Sequence, residues 1–123
     1  TDANGSAIFG WWSDLDASAS GAAVTSFTAT GGRFVIQYEH VPAMGAPKPY
    51  SVSFQIVLDQ KGNVRINYRD VPEPVGKPTP ATIGVQTLNG RFYSELLCST
   101  PTQTFGNAPS PRESIIFRSV DLY

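Results

Sequence analysis

Two aspartates near the start of the chain are the first residues that could do chemistry. Asp14 and Asp16 stand two apart, directly after an aromatic segment, and this spacing could present two carboxylates to a calcium ion with help from backbone carbonyls. The alternative is that they begin a turn, where aspartate side chains accept hydrogen bonds from free amides. Calcium loops usually supply more oxygen ligands in one short run, so the sequence favours turn chemistry over a calcium site.

The groups that a hydrolase would need are scarce. His40 is the sole histidine and Cys98 the sole cysteine, and nucleophilic catalysis needs an imidazole, a nucleophile and an orienting carboxylate close together. The sequence contains no Gly-x-Ser-x-Gly nucleophile elbow, and its glutamates show no spacing that selects an acid and base pair. We therefore expect a structural His40, a small buried Cys98 and no catalytic site.

Two adjacent tryptophans are the best candidates for binding. In an extended strand Trp11 and Trp12 point to opposite faces, so one indole could anchor the core while the other reaches the surface. An exposed indole near tyrosine and amide side chains can stack on a sugar ring or grip another protein, and Tyr38 and Tyr68 are the candidate tyrosines. The alternative is that loops or a neighbouring sheet cover both indoles.

The composition excludes several classes of function. The formal net charge is −1 and only 15% of the residues are charged, against about 25% in an average globular domain. No basic face would attract phosphates, which argues against nucleic-acid binding, and no apolar run approaches the roughly 20 residues that cross a bilayer. A single cysteine can form neither an internal disulfide nor a multi-cysteine metal site. Because the chain begins at Thr1 without a methionine, we expect a processed protein or a piece of a longer parent chain.

Alternating side chains predict the first structural elements. Between residues 50 and 68, apolar residues fall on every second position on both sides of a turn at Gly62, which is the period of a half-buried antiparallel hairpin. A second hairpin is predicted for residues 23–30 and 33–41 around the Gly31-Gly32 dipeptide, with His40 on the face of Phe34, Ile36 and Tyr38. A third is predicted for residues 81–88 and 91–98 around Asn89 and Gly90.

The remaining segments complete an all-β pattern. Residues 7–12 and 113–118 are predicted strands, and the proline-rich residues 42–49 and 71–80 are predicted loops. About eight short strands result, as in a β-sandwich. We expect a single domain over residues 1–123 in which two antiparallel sheets form a jelly-roll-like β-sandwich, because one sheet alone would leave a face unburied. The strands at residues 33–41 and 50–59 contain no proline, so either could be an exposed edge that pairs with another chain.

Two sequence segments together resemble a known family. Residues 9–16 are Phe-Gly-Trp-Trp-Ser-Asp-Leu-Asp, and residues 53–68 carry the central hairpin, followed by Ala-Thr-Ile-Gly-Val at residues 81–85. In this order they resemble the β-sandwich modules appended to secreted bacterial proteases and cell-surface proteins, and they are similar to the nidogen extracellular domain. The resemblance covers roughly residues 9–86 and implies an extracytoplasmic, non-catalytic accessory module. It departs from the family at Ser13 and Asp14, where an acidic pair is usual, and at the proline-rich residues 71–80.

Two functions from different classes follow. The first is a structural or protein-interaction module of an extracellular or cell-surface multidomain protein, whose partners are other proteins or the neighbouring domains of the parent chain. The second is a carbohydrate-binding module that uses Trp11 or Trp12, with Tyr38 and Tyr68, on a cell-surface polysaccharide. An independent hydrolase ranks last. No cofactor is expected, apart from the calcium ion that Asp14 and Asp16 could hold, and neither nucleic acid nor membrane insertion is expected.

Overall fold

The computed structural model describes residues 6–44, 50–72, 81–86, 93–99, 104–106 and 109–119. Every regular element in these ranges is a β-strand. The strands are β1 (Ala7–Trp12), β2 (Ala23–Ala29), β3 (Arg33–Pro42), β4 (Ser51–Leu58), β5 (Val64–Asp70), β6 (Thr82–Gln86), β7 (Tyr93–Ser99), β8 (Thr104–Gly106) and β9 (Ser114–Phe117). In this part of the chain there is no helix long and apolar enough to cross a membrane.

The strands form two antiparallel sheets. One has the order β1-β6-β7-β8 and the other the order β2-β3-β4-β5-β9. Neither order closes on itself among the described strands, so the predicted all-β, two-sheet β-sandwich class is confirmed. Strand β8 lies between the predicted strands at residues 91–98 and 113–118, where no strand is predicted from the sequence. Three predictions concern parts of the chain that lie outside the described residues. They are the turn at Asn89 and Gly90, the burial of the Cys98 side chain, and the loop at residues 71–80, of which only residues 71 and 72 are described.

Contacts within the chain group the residues into two compact units, each containing one sheet. The first comprises Thr1–Ser13 with Pro74–Ala108, and the second comprises Asp14–Glu73 with Pro109–Tyr123. Each unit is assembled from segments that are distant in the sequence, as expected when the chain passes from one sheet to the other and back. The single-domain organisation over residues 1–123 stays a prediction.

The central hairpin of the second unit is the one that the alternating pattern predicts. Strands β4 and β5 pair in register with Ile56 opposite Ile66, and both side chains are buried. The turn is held by Asp59, whose Oδ1 accepts hydrogen bonds from the backbone amides of Lys61 and Asn63, both at 2.9 Å. Gly62 occupies the left-handed region at φ 81°, which a glycine adopts without the strain of a Cβ atom.

The hairpin around Gly31 and Gly32 is confirmed, but the predicted edges are wrong. Strands β2 and β3 pair from Ala23 opposite Glu39 to Ala29 opposite Arg33. The two proline-free segments, residues 33–41 in β3 and 50–59 around β4, lie inside the five-stranded sheet, whose edges among the described strands are β2 and β9. The physical reason is that a strand without proline can donate hydrogen bonds to both sides, so it suits the centre of a sheet as well as its edge.

Candidate functional site

An open groove on the first unit surrounds the exposed indole of Trp12. The side chain of Trp12 is 58% exposed, whereas that of Trp11 is 4% exposed. The expectation that adjacent indoles point to opposite faces is thus confirmed, and the alternative that both are covered is wrong. The Phe9 ring stands against Trp12 edge to face, with ring centroids 5.0 Å apart and an interplanar angle of 79°.

A β-bulge in β1 places these two rings side by side. Phe9 pairs with Gly84 and Trp12 pairs with Thr82, so two residues of β1 oppose the single residue Ile83. The extra residue shifts the alternation, and side chains three positions apart therefore share one face. Phe9 is not among the residues that the sequence pattern predicts for binding, although Gly10 inside an aromatic strand is the signal that a bulge leaves.

The groove mixes apolar and polar groups. Its volume is about 210 Å³, and its wall contains an amide, a carboxylate and two hydroxyls beside the rings, from Gln86, Glu95, Thr82 and Ser94. Gly84 lies in the floor, where an added Cβ would stand 2.5 Å from the carbonyl oxygen of Ser94. A flat apolar ring flanked by hydrogen-bonding side chains can stack on one face of a small ring and bind its polar edge.

The tyrosines predicted as partners of Trp12 lie in the second unit and are tied to its packing. Tyr38 stacks on Phe54 with ring centroids 4.4 Å apart, and Tyr68 lies 6.0 Å from Phe54 on the other side. Tyr68 is buried; this burial, and then the charge of Glu113, raise the pKa of its hydroxyl. Trp11 and Tyr68 are buried and Tyr38 is half-buried, so Trp12 is the most exposed of the four predicted binding residues.

Of the two predicted metal ligands, Asp16 is engaged in a turn contact and Asp14 in a backbone contact with a distant segment. Asp16 Oδ1 accepts hydrogen bonds from the backbone amide and the hydroxyl of Ser18, at 2.9 and 2.6 Å, and these bonds lower the pKa of the Asp16 carboxyl. The backbone carbonyl of Asp14 accepts a hydrogen bond from the Met44 amide at 2.7 Å. Among the described residues no three acidic, histidine or cysteine side chains cluster as metal ligands would.

Two bulges meet at Ser53 in the second unit. On one side Glu39 and His40 together oppose Ser53, and on the other side Arg69 is the extra residue between the pairs of β4 and β5. The Ser53 hydroxyl is buried and accepts a hydrogen bond from the His40 backbone amide at 2.9 Å. The first bulge interrupts the alternation, so His40 is exposed and does not continue the face of Tyr38.

The charged groups beside Ser53 form a surface ion pair. Arg69 Nε donates to Asp70 Oδ2 at 2.9 Å, and this hydrogen bond lowers the pKa of the Asp70 carboxyl. Arg69 Nη2 lies 3.4 Å from His40 Nε2. The hydroxyl of Ser53 accepts a hydrogen bond from the His40 backbone amide and a longer one, at 3.5 Å, from Arg69 Nη2.

The edge strand β2 presents a second candidate surface, for protein contact. Its seven residues, Ala-Val-Thr-Ser-Phe-Thr-Ala, include no charge and no proline. Val24, Phe27 and, on the neighbouring strand, Phe34 are 43, 45 and 42% exposed. Val24 and Phe34 belong to one face of the sheet and Phe27 to the other, because they alternate along the paired strands. We call β2 with these three side chains the β2 edge surface.

Comparison with known proteins identifies the family. A family profile described as NIDO related matches residues 1–118. A search of curated proteins found no match, and a search of solved structures found none either. NIDO-related domains are a non-enzymatic and typically extracellular domain type, in agreement with the resemblance to nidogen that residues 9–86 suggest. Since the match covers nearly the whole sequence, the chain belongs to the NIDO-related, or nidogen-related, family.

Proposed function

We propose that the chain is a non-catalytic interaction module of an extracellular multidomain protein and that it binds other proteins through the β2 edge surface. The observation that carries the proposal is the edge strand itself. Natural sheets usually protect an edge with lysine, proline, a bulge or a covering segment. β2 pairs with β3 in unbroken register over all seven residues and has no charge or proline, so it keeps the means to pair with another strand.

Strand addition suits this surface physically. An extended segment that pairs with an open edge gains main-chain hydrogen bonds, and pockets or apolar side chains beside the edge supply the specificity. Val24 and Phe34 on one face and Phe27 on the other would be covered by the side chains of an added strand. An added strand would therefore remove apolar surface from water on both faces of the edge.

A peptide-display selection on the immobilised domain tests the proposal. Peptides selected by the wild-type domain should shift the amide resonances of β2 and lose affinity for the Phe27→Lys variant, because a charge on the edge opposes strand pairing. The matched control is Ile116→Lys on the opposite edge strand β9, since Ile116 has a similar exposure of 40% and lies in the same cross-strand row. Peptides that bind the two variants equally well would overturn the proposal.

A second candidate function is carbohydrate binding, and the exposed Trp12 favours it. The groove of Phe9 and Trp12 offers a ring face beside the amide of Gln86 and the carboxylate of Glu95, the combination that stacks on a pyranose and binds its hydroxyls. Affinity gels containing polysaccharides should retard the wild-type domain and not Trp12→Ala, while Met44→Ala, another exposed apolar residue, should behave as wild type. Equal mobility of all three proteins on every polysaccharide removes this candidate.

The parent protein is proposed from the resemblance alone. The order of residues 9–16, 53–68 and 81–85 is similar to that of accessory modules in secreted bacterial proteases and cell-surface proteins. In such a parent the module would hold the protein at its partner or present a substrate to the neighbouring domain. Sequencing the full-length gene tests this, since a protease or adhesin domain beside the module would support it and a cytoplasmic enzyme would contradict it.

A further inference from the structure

Ser26 is the middle residue of the seven-residue strand β2. Around Ser26, the residues at equal distances are Thr25 and Phe27, Val24 and Thr28, and Ala23 and Ala29. Two antiparallel copies centred on Ser26 would therefore pair all seven residues, whereas a register centred elsewhere leaves strand residues without partners. Each pair in this register is neutral, so no like charges are placed opposite each other.

We infer that two copies of this chain pair through β2, antiparallel and about a twofold axis at Ser26. The inference rests on the proposed function, in which β2 is the contact edge, and names a second copy of the chain as the occupant. Such an interface is isologous, because the same surface serves both partners, and it would extend the five-stranded sheet into a continuous sheet of two copies.

Charges on the neighbouring strand favour this partner and this register. Glu39 lies opposite Ala23, and Arg33 lies opposite Ala29, on the same face of the sheet. In the centred register Ala23 meets Ala29 of the second copy, so Glu39 of one copy and Arg33 of the other occupy the two ends of one row. Their Cα atoms are three strand spacings apart, roughly 14 Å, and only two alanine methyl groups lie between them.

This arrangement of charges occurs twice because of the twofold axis. Opposite charges separated by short side chains attract across the interface and set its register more than its affinity. In the same register Thr28 of one copy lies opposite Val24 of the other copy. Within its own copy Thr28 lies opposite Phe34, so the contact covers exposed apolar side chains. Thr25 meets Phe27 on the other face. The three members of the β2 edge surface are therefore all at the contact.

Cysteine cross-linking tests the register directly. In a Cys98→Ser background, Ser26→Cys should form a disulfide-linked dimer under mild oxidation, because the two Ser26 residues face each other on the axis. The control Thr28→Cys lies two residues away on the same face and meets Val24, so it should remain a monomer. Cross-linking by Thr28→Cys and not by Ser26→Cys would overturn the inference.

Charge exchange tests the partner without relying on a new cysteine. Sedimentation equilibrium of the wild-type chain should show a reversible dimer, and Arg33→Glu or Glu39→Arg alone should raise its dissociation constant by about two- to fivefold. The double exchange should restore the wild-type value. A wild-type chain that stays monomeric at about millimolar concentration, the range of very weak association, overturns the inference. If selected peptides still bind β2 in that case, the proposed function stands while the second copy is excluded as the partner.

Discussion

Phe9 and Trp12 present their rings on the same face of β1 although three positions separate them, with ring centroids 5.0 Å apart. A regular strand would place these side chains on opposite faces. The bulge at Gly10 and Trp11 shifts the alternation by one residue, so Phe9 shares a face with Trp12, whereas a regular strand would place it on the face of Trp11. One extra residue thereby brings a second ring beside the exposed Trp12.

The two tryptophans should differ sharply in their contributions to stability. Trp11→Ala removes a buried indole and should lower the free energy of unfolding by about 3–5 kcal/mol. Trp12→Ala loses mainly its edge-to-face contact with Phe9 and should cost about 1 kcal/mol. Urea unfolding followed by circular dichroism measures both. Equal losses for the two variants would contradict the assignment of Trp11 to the core and Trp12 to the surface.

Gly84 should not tolerate a side chain. An added Cβ would stand 2.5 Å from the Ser94 carbonyl oxygen, and because that atom belongs to the backbone, strands β6 and β7 must move apart. We expect Gly84→Ala to lower the free energy of unfolding by about 1–3 kcal/mol. Gly21→Ala is the control: its Cβ would meet nothing within 4 Å, so it reports the cost of a positive φ alone. A Gly84→Ala variant as stable as wild type would show that the strands approach less closely.

The protein should be more stable with glycine in place of His40 than with alanine. His40 has φ 49°, a left-handed conformation in which a Cβ atom costs roughly 1–2 kcal/mol. Both substitutions remove the imidazole and its contact with Arg69, so their difference isolates the backbone strain. We expect the free energy of unfolding of His40→Gly to be about 1 kcal/mol higher than that of His40→Ala, measured by thermal or urea unfolding. The reverse order would indicate that the bulge opposite Ser53 does not hold this conformation.

Asp59 should make stability depend on acid pH. Hydrogen bonds from the Asn63 side chain and amide hold the pKa of the Asp59 carboxyl below its usual range, so the folded state binds the proton more weakly than the unfolded state. The stabilisation is complete above the unfolded pKa of about 3.9 and is lost as the pH falls through the lower folded pKa. Asp59→Asn should therefore have a lower Tm than wild type at pH 7. Between pH 7 and pH 3 its Tm should fall by less than that of wild type.

The control for this pH experiment is Asp14→Asn. The described contact of Asp14 with Met44 uses its backbone carbonyl, which the substitution retains. Melting curves of Asp59→Asn, Asp14→Asn and the wild type are compared at pH 7 and pH 3. If Asp59→Asn keeps the pH dependence of the wild type, the hairpin turn is not the source of that dependence.

Local patterns in the sequence were sufficient to predict the two hairpins of the five-stranded sheet. The alternation that ends with Ile66 and Tyr68 specifies which side chains are buried, and Gly31 and Gly32 supply the positive φ angles that their turn requires. These features depend on residues close together in the chain. The order of the strands does not: β5 lies inside the sheet and not at its edge because β9 arrives beside it from Ser114–Phe117.

The candidate surfaces were less predictable because bulges and edges leave weak signals. A bulge adds one residue without changing the composition of the strand, so Phe9 could not be paired with Trp12 from the alternating pattern. Similarly, His40 falls on the predicted face of Tyr38 until the bulge opposite Ser53 displaces it. The open edge at Val24 and Phe27 depends on which strand lies beside β2, a long-range property that the alternation of side chains does not encode.

Amide hydrogen exchange along β2 tests most directly whether this strand is an open edge that binds other chains. In the dilute isolated protein we predict that amides of β2 directed toward β3 are protected while the alternate, outward amides exchange rapidly. When a selected peptide or a second copy of the chain is bound, the outward amides should become protected as well. Uniform protection of β2 in the dilute protein, or outward amides that stay unprotected in the bound state, would contradict the proposed edge contact.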